Sequence, residues 1–295
     1  MTTQLPVAPA TRRSRFALGA GDQRKAGPIA YVLLIVAALV SLFPLYWNLV
    51  AASNSGARVQ QAPAPLLPGS HLLDNLSVAW NEVHMGTALV NTTVVASVVS
   101  LSTVLFATLA GFAFAKLRFK GRNLLLGLVV ATMTVPPQLT VIPLYQIVTD
   151  LHWTDTLQAV IMPSLVAAFG VFFMRQFLVE ALPVELVEAA RMDGANSLRI
   201  IWHIVFPIAR PAMAVLGMLT FVQSWNDFFW PFIVLTDNGT PTLQVSLAGL
   251  GAGNHTVDSA IVLAGALIST VPLLLVFAFL GKHIVGGITA GAVKS

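Results

Sequence analysis

Two groups of residues in this chain have types and spacing suited to a specific task. The first runs from Pro183 to Pro211, Pro-Val-Glu-Leu-Val-Glu-Ala-Ala-Arg-Met-Asp-Gly-Ala-Asn-Ser-Leu-Arg-Ile-Ile-Trp-His-Ile-Val-Phe-Pro-Ile-Ala-Arg-Pro. Its chemistry is that of a protein contact. Ala189 and Ala190 carry no bulk, so a partner surface approaches the backbone closely, while Glu188, Arg191 and Asp193 set its register by charge. The second is Gln223-Ser224-Trp225-Asn226-Asp227-Phe228-Phe229-Trp230-Pro231, a polar run inside an apolar stretch. An ionisable residue in such a place needs a partner or a watery path. Two readings of Asp227 stay open: a hydrogen bond to a neighbouring helix, or contact with a gate or solute path.

Covalent and phosphoryl chemistry find no foothold. The chain has no cysteine, which removes disulfides, thiolate catalysis and Cys-based metal sites. No Gly-x-x-x-x-Gly-Lys-Ser/Thr run occurs; Gly281-Lys282 is followed by His283 and lacks the preceding glycine. His71, His84, His152, His203, His255 and His283 are scattered without metal-ligand spacing, and no Ser-His-Asp set is arguable. Neither a cofactor nor a metal is expected, and any ATP chemistry belongs to another polypeptide.

The elements that position these groups are read from composition. Of 295 residues, 56% are hydrophobic and only 9% charged, which places the chain in the membrane class. A spanning helix takes about 20 mostly apolar residues. Six stretches qualify: Ile29–Ala52, Leu89–Ala115, Leu124–Ile147, Ala159–Phe177, Ala212–Leu235 and Ala260–Leu280. The 16 Lys and Arg residues fall, segment by segment from the N-terminus, as five, one, four, none, four, none and two. Cytoplasmic loops collect positive charge, so this alternation puts both termini and the loop 178–211 inside. The basic balance needs no nucleic acid; the cations sit where insertion and anionic membrane lipid place them.

Local signals refine the outline. Pro183 suits a first helical position, Glu185 and Glu188 favour the positive end of the helix dipole, Gly194 a left-handed helix end, and Asn196 or Ser197 the next N-cap. Two helical pieces at an angle are expected. The second span is rich in Ser, Thr, Ala and Gly, residues that let helices pack closely in lipid. Pro136, Pro137 and Pro143 interrupt the third span, and the carbonyls they free must face protein or water. Gln138 and Thr140 beside that break are candidates to line a translocation path, although a packed kink explains the prolines equally well. Asp227 lies about fifteen residues, or roughly 23 Å, from the inner end of the fifth span. The segment 53–88, with Pro63, Pro65, Pro68 and Trp80, reads either as an ordered outer loop that meets a partner or as a connector. Residues 1–28 read as a disordered cytoplasmic arm. With Ile29–Val40 and Val50-Ala51-Ala52 they also resemble a signal peptide, but the apolar run is long for one, and an uncleaved span is expected.

Glu188-Ala189-Ala190, Asp193-Gly194-Ala195, Ile204 and Phe206-Pro207 resemble the EAA loop of permease subunits in ATP-binding-cassette importers. Two further runs resemble sugar-importing, maltose-type permeases: Trp225 to Pro231, similar to Trp-Asn-Asp-Phe-x-Trp-Pro, and Gly287 to Lys294, similar to the Gly-Leu-Thr-x-Gly-x-Val-Lys tail. Ala113 to Arg122 is similar to the basic turn of those permeases. The resemblance covers residues 53–295.

It implies an all-α polytopic membrane protein of six transmembrane helices, with a cytoplasmic coupling-helix loop between spans 4 and 5. The organisation expected is an arm (1–28), a transmembrane domain (29–281, coupling loop 178–211) and a flexible cytoplasmic tail (282–295). The implied partners are a second homologous permease, two ABC ATPase subunits and an extracytoplasmic sugar-binding protein. Glu188, Ala189, Ala190, Arg191, Asp193, Gly194 and Pro207 would couple to the ATPases; Gln138, Thr140, Asn226 and Asp227 are the path candidates. Two rival classes remain. An ion-coupled secondary transporter would show internal repeats and mid-membrane ion ligands, and its uptake would follow an ion gradient. A non-transporting scaffold or sensor would bind ATPase without accumulating solute.

Overall fold

The computed structural model describes residues 27–237, 239–252 and 258–292. The expected arm lies outside them except for Gly27 and Pro28. Among the described residues every regular element is a helix, as an apolar chain requires where lipid offers its N–H and C=O groups no partner.

The chain divides into two units, one ending at Tyr46 and one starting at Trp47. The first holds most of α1 (Pro28–Ala52), whose Leu33, Leu39 and Phe43 side chains are more than half exposed. The second holds α2 (Gly56–Val59), α3 (Leu72–Glu82), α4 (Met85–Lys116), α5 (Arg122–Thr132), α6 (Val141–Asp150), α7 (Leu157–Ile161), α8 (Ala168–Ala181), α9 (Val184–Met192), α10 (Ser197–Ile200), α11 (Phe206–Trp225), α12 (Phe229–Val234), α13 (Leu243–Ala252) and α14 (Ser259–Ala292).

Five helical segments are long and apolar enough to cross a membrane: Pro28–Ala52, Met85–Lys116, Leu157–Ala181, Ser197–Trp225 and Ser259–Ala278. The third apolar stretch is a pair instead, Arg122–Thr132 and Pro137–Asp150, bent by 95°. Pro136 and Pro137 supply no N–H, and a 3₁₀ turn at Pro137–Thr140 takes the chain round the corner.

Three more bounds differ from expectation. The fourth segment is interrupted at Met162–Ser164, a 3₁₀ turn built on Pro163. The fifth begins at Ser197 rather than Ala212 and stops at Trp225 rather than Leu235. At its start a π turn, Ile201–Val205, carries α10 into α11, next to Pro207, which has no N–H for the preceding turn. At its end Pro231 could not bond the Asp227 carbonyl in a continuous helix, so the backbone opens at 226–228 and restarts as α12. The final helix runs to Ala292, so the segment 282–292, expected as a flexible tail, has a helical backbone; residues 293–295 fall outside the described residues.

The long α4 is the mast of the second unit, packed on α8 and α11. Thr103, Ala107 and Gly111, spaced by four, lie on one stripe of it. A Cβ on Gly111 would stand 2.8 Å from the Arg175 backbone nitrogen and 2.9 Å from the Met174 Cβ. The small residues of the second span therefore serve helix packing, as read. At the Lys116 end, Phe112, Met174, Leu178, Leu182, Val187, Ile200 and Val205 form a buried cluster. Towards the Met85 end, Val95, Val99, Val148, Ala159, Val160 and Trp230 form another.

Candidate functional site

Three backbone breaks converge between these clusters. The corner at Pro137–Gln138, the opening at Ser164–Ala167 and the opening at Asn226–Asp227 all line one cavity of about 520 Å³, with Thr103 of α4 on its wall. Non-helical backbone at membrane depth is tolerated where it is buried in protein or lines a watery space, and here both occur. Thr103, fully buried, donates its hydroxyl towards the Ser164 and Leu165 carbonyls, at 3.5 and 3.4 Å.

The path candidates separate. Gln138, Asn226 and Asp227 line the same cavity. Thr140 does not; it is exposed, and its hydroxyl donates to the Pro137 carbonyl at 2.8 Å. Asn226 donates its amide N–H to the Val222 carbonyl at 2.8 Å, closing the end of α11. The half-buried Asp227 carboxylate accepts from the backbone N–H groups of Trp230 and Phe229, at the start of α12. It belongs at once to the next helix of its own chain and to the cavity wall, so the two readings of this residue are not exclusive. Thr103, Ser164 and Thr220 also line the cavity and escaped the sequence reading. Met162-Pro163-Ser164 was the signal for Ser164, since proline breaks a span at that point as surely as Pro136 does.

A strap holds α12 against the cavity. The Trp230 indole N–H donates to the Ala159 carbonyl at 2.9 Å, and the Asp155 N–H to the Val234 carbonyl at 2.8 Å. One Asp155 carboxylate oxygen accepts the N–H groups of Thr236 and Asp237, at 2.6 and 2.8 Å. Those bonds, the Asp237 N–H foremost, hold this carboxyl below the usual carboxylate range.

The charged loop forms a separate surface beyond the Lys116 end of α4. Pro183 caps α9 rather than entering it, and Val184 is the first helical residue. Gly194, at φ +78°, ends it in the left-handed region. The Gly194 N–H donates to the Arg191 carbonyl at 3.0 Å and the Ala195 N–H to the Ala190 carbonyl at 2.9 Å, a Schellman closure. Asn196, not Ser197, caps the next helix, its side chain accepting the Arg199 N–H at 2.8 Å. Glu188, Ala189, Arg191, Asp193, Gly194 and Pro207 are exposed and Ala190 is half-buried. Met192, 88% exposed, and Leu198, 66% exposed, add apolar area beside the charges. Beneath them Val187, Ile200 and Val205 anchor the loop in the buried cluster. The basic turn after α4 lies alongside: Lys116 to Phe119 share a cleft with Val187, Glu188 and Arg191, and Lys116 donates to the Val179 carbonyl at 3.1 Å.

The family described as "Binding-protein-dependent transport system inner membrane component" matches residues 103–288, from the cavity wall through the loop into α14. The chain belongs to this family. It is similar to the sn-glycerol-3-phosphate transport system permease protein UgpE of Shigella flexneri serotype 5b (strain 8401), 32% identical over 88% of this chain and 94% of that protein. It is similar also to the arabinooligosaccharides transport system permease protein AraQ of Halalkalibacterium halodurans, 33% identical over 92% of this chain and 99% of that one. Among solved structures, a chain of a bacterial ABC transporter involved in the import of the acidic polysaccharide alginate superposes with a TM-score of 0.73. It is 26% identical and matches 86% of this chain and 94% of that chain. The protein is thus a multi-pass, non-catalytic permease component of an ATP-binding-cassette importer.

Proposed function

We propose that this permease forms half of the translocation path of an ATP-driven, binding-protein-dependent sugar importer. In this reading it works with a second homologous permease, two ABC ATPase subunits and an extracytoplasmic sugar-binding protein. The bent pair Arg122–Asp150 counts as the third of six spans, both termini are cytoplasmic, and α9 is the coupling helix. The observation that carries the reading is the exposed Glu188-Ala189 face, with Ala190 half-buried beside it, on a helix closed at its C-terminal end by the Gly194 turn and rooted in the bundle core.

The mechanism is mechanical. Closure of the ATPase dimer on ATP moves α9, held in a surface cleft of the ATPase. Because Ser197–Trp225 is one helical run, displacement at the loop is transmitted along α11 to Asn226 and Asp227 at its far end. The cavity then changes the side to which it opens, and hydrolysis resets it. Coupling of this kind needs a two-state element that both sites bias. Pro207 and the π turn, where helix geometry is least regular, are where the run takes up the change in angle.

Charge reversal tests the docking face. Glu188→Lys should abolish binding-protein-stimulated ATP hydrolysis and uptake while membrane insertion stays normal, since the side chain is exposed. Transport at the wild-type rate by that variant rules out the docking assignment.

A further inference from the structure

The relatives named above carry chemically different solutes: glycerol phosphate and alginate are anions, arabinooligosaccharides are neutral. The identities to the two permeases, 32% and 33%, do not separate the classes. The cavity wall does.

Taking the cavity as part of the solute path, we propose that it receives an uncharged polyhydroxylated solute, a neutral saccharide, and excludes anionic ones. Among the described residues Asp227 is the sole charged side chain on the wall, and no Lys, Arg or His of theirs lines it. An anion about 6 Å from that carboxylate, at an effective dielectric constant of about 20, is disfavoured by roughly 100-fold. The carboxylate gives a cation less hold than its charge suggests, because its oxygens already accept the Trp230 and Phe229 N–H groups.

The remaining groups match hydroxyls. Gln138, Gln223 and Ser224 are committed to no side-chain hydrogen bond among the described residues. Each amide presents donors and an acceptor together, as a ring hydroxyl requires of its neighbours. Trp230 has its N–H bound to Ala159, so what it offers the cavity is apolar ring surface, suited to the C–H face of a sugar ring. A volume of about 520 Å³ lies within the range of small-molecule sites, roughly 300–1,000 Å³.

The test uses the complete importer in proteoliposomes, with ATP inside and its binding protein outside. Uptake of an arabinotriose, of glycerol 3-phosphate and of a triuronate is measured for wild type and for a Gln138→Ala/Gln223→Ala/Ser224→Ala variant. Stimulated ATP hydrolysis reports assembly of each. ATP-driven uptake of arabinotriose alone is expected, reduced at least about 5-fold by the triple variant, for lost hydrogen bonds. Uptake of either anion, or a triple variant at the wild-type rate, overturns the proposal. Stimulated ATP hydrolysis without arabinotriose uptake overturns the substrate class alone. Absence of both stimulated hydrolysis and uptake overturns the importer reading beneath it.

Discussion

Single residues here act through backbone geometry as much as through their own chemistry. Asp227 organises the first turn of α12 and so places Trp230, while its charge sets the electrostatics of the cavity. Asp155 does comparable work outside the spans, joining the turn before α7 to the strand of chain after α12 through the Thr236 and Asp237 N–H groups. Its carboxyl is held down by those bonds. A depressed carboxyl adds stability that is fully present above its unfolded pKa, roughly 4, and lost as pH falls through the folded value. Wild type should therefore unfold at a higher temperature than Asp155→Asn at pH 7, with the gap constant down to about pH 5 and closing below about pH 4. A gap that widens on acidification would show that the carboxylate is not what the strap depends on.

At the scale of elements, close approach and interruption divide the labour. The stripe Thr103, Ala107 and Gly111 lets α4 and α8 come into backbone contact. Gly111→Val has no room, since even the first added carbon falls 2.8 Å from the Arg175 nitrogen. Overpacking of this order costs about 1–3 kcal/mol, read as a lower unfolding temperature in detergent; an unchanged value would mean that the two helices separate freely. Interruption does the opposite. Each proline-bearing break, at Pro136-Pro137, at Pro163 and before Pro231, gives up helical hydrogen bonds and turns polar backbone towards the shared cavity.

The unit from Trp47 onward is a helical bundle with a cavity between two buried clusters and the charged loop of α9 beyond the Lys116 end of α4. The orientation proposed for it is open to direct measurement, because the chain contains no cysteine. Single replacements Arg58→Cys and Thr154→Cys should react with an impermeant thiol reagent only from outside, and Lys120→Cys and Ser197→Cys only from the cytoplasm. Labelling of positions 120 and 154 from the same side would make the bent pair a re-entrant hairpin and reduce the spans to five. In the assembled importer, Ser197→Cys should also be protected by bound ATPase, since it opens the next helix with only four residues between it and the end of α9.

Composition and spacing alone determined the membrane class, the number of apolar stretches, the alternation of charge along the chain and the short helix between Pro183 and Gly194. Those properties are local: hydropathy is summed over about 20 residues, and the caps at Gly194 and Asn196 rest on neighbours within a few positions. Gln138 and Asp227 were legible as polar residues inside apolar runs, but nothing local distinguished Gln138 from Thr140, two positions away. Only the fold decided that one faces the cavity and the other bonds its own turn, because the direction of a side chain at a 95° corner depends on how the two helices pack. The same holds for Thr103. Its place on the cavity wall was set by α8 and the opened backbone at Ser164, more than sixty residues along the chain, where contact is a matter of packing rather than sequence.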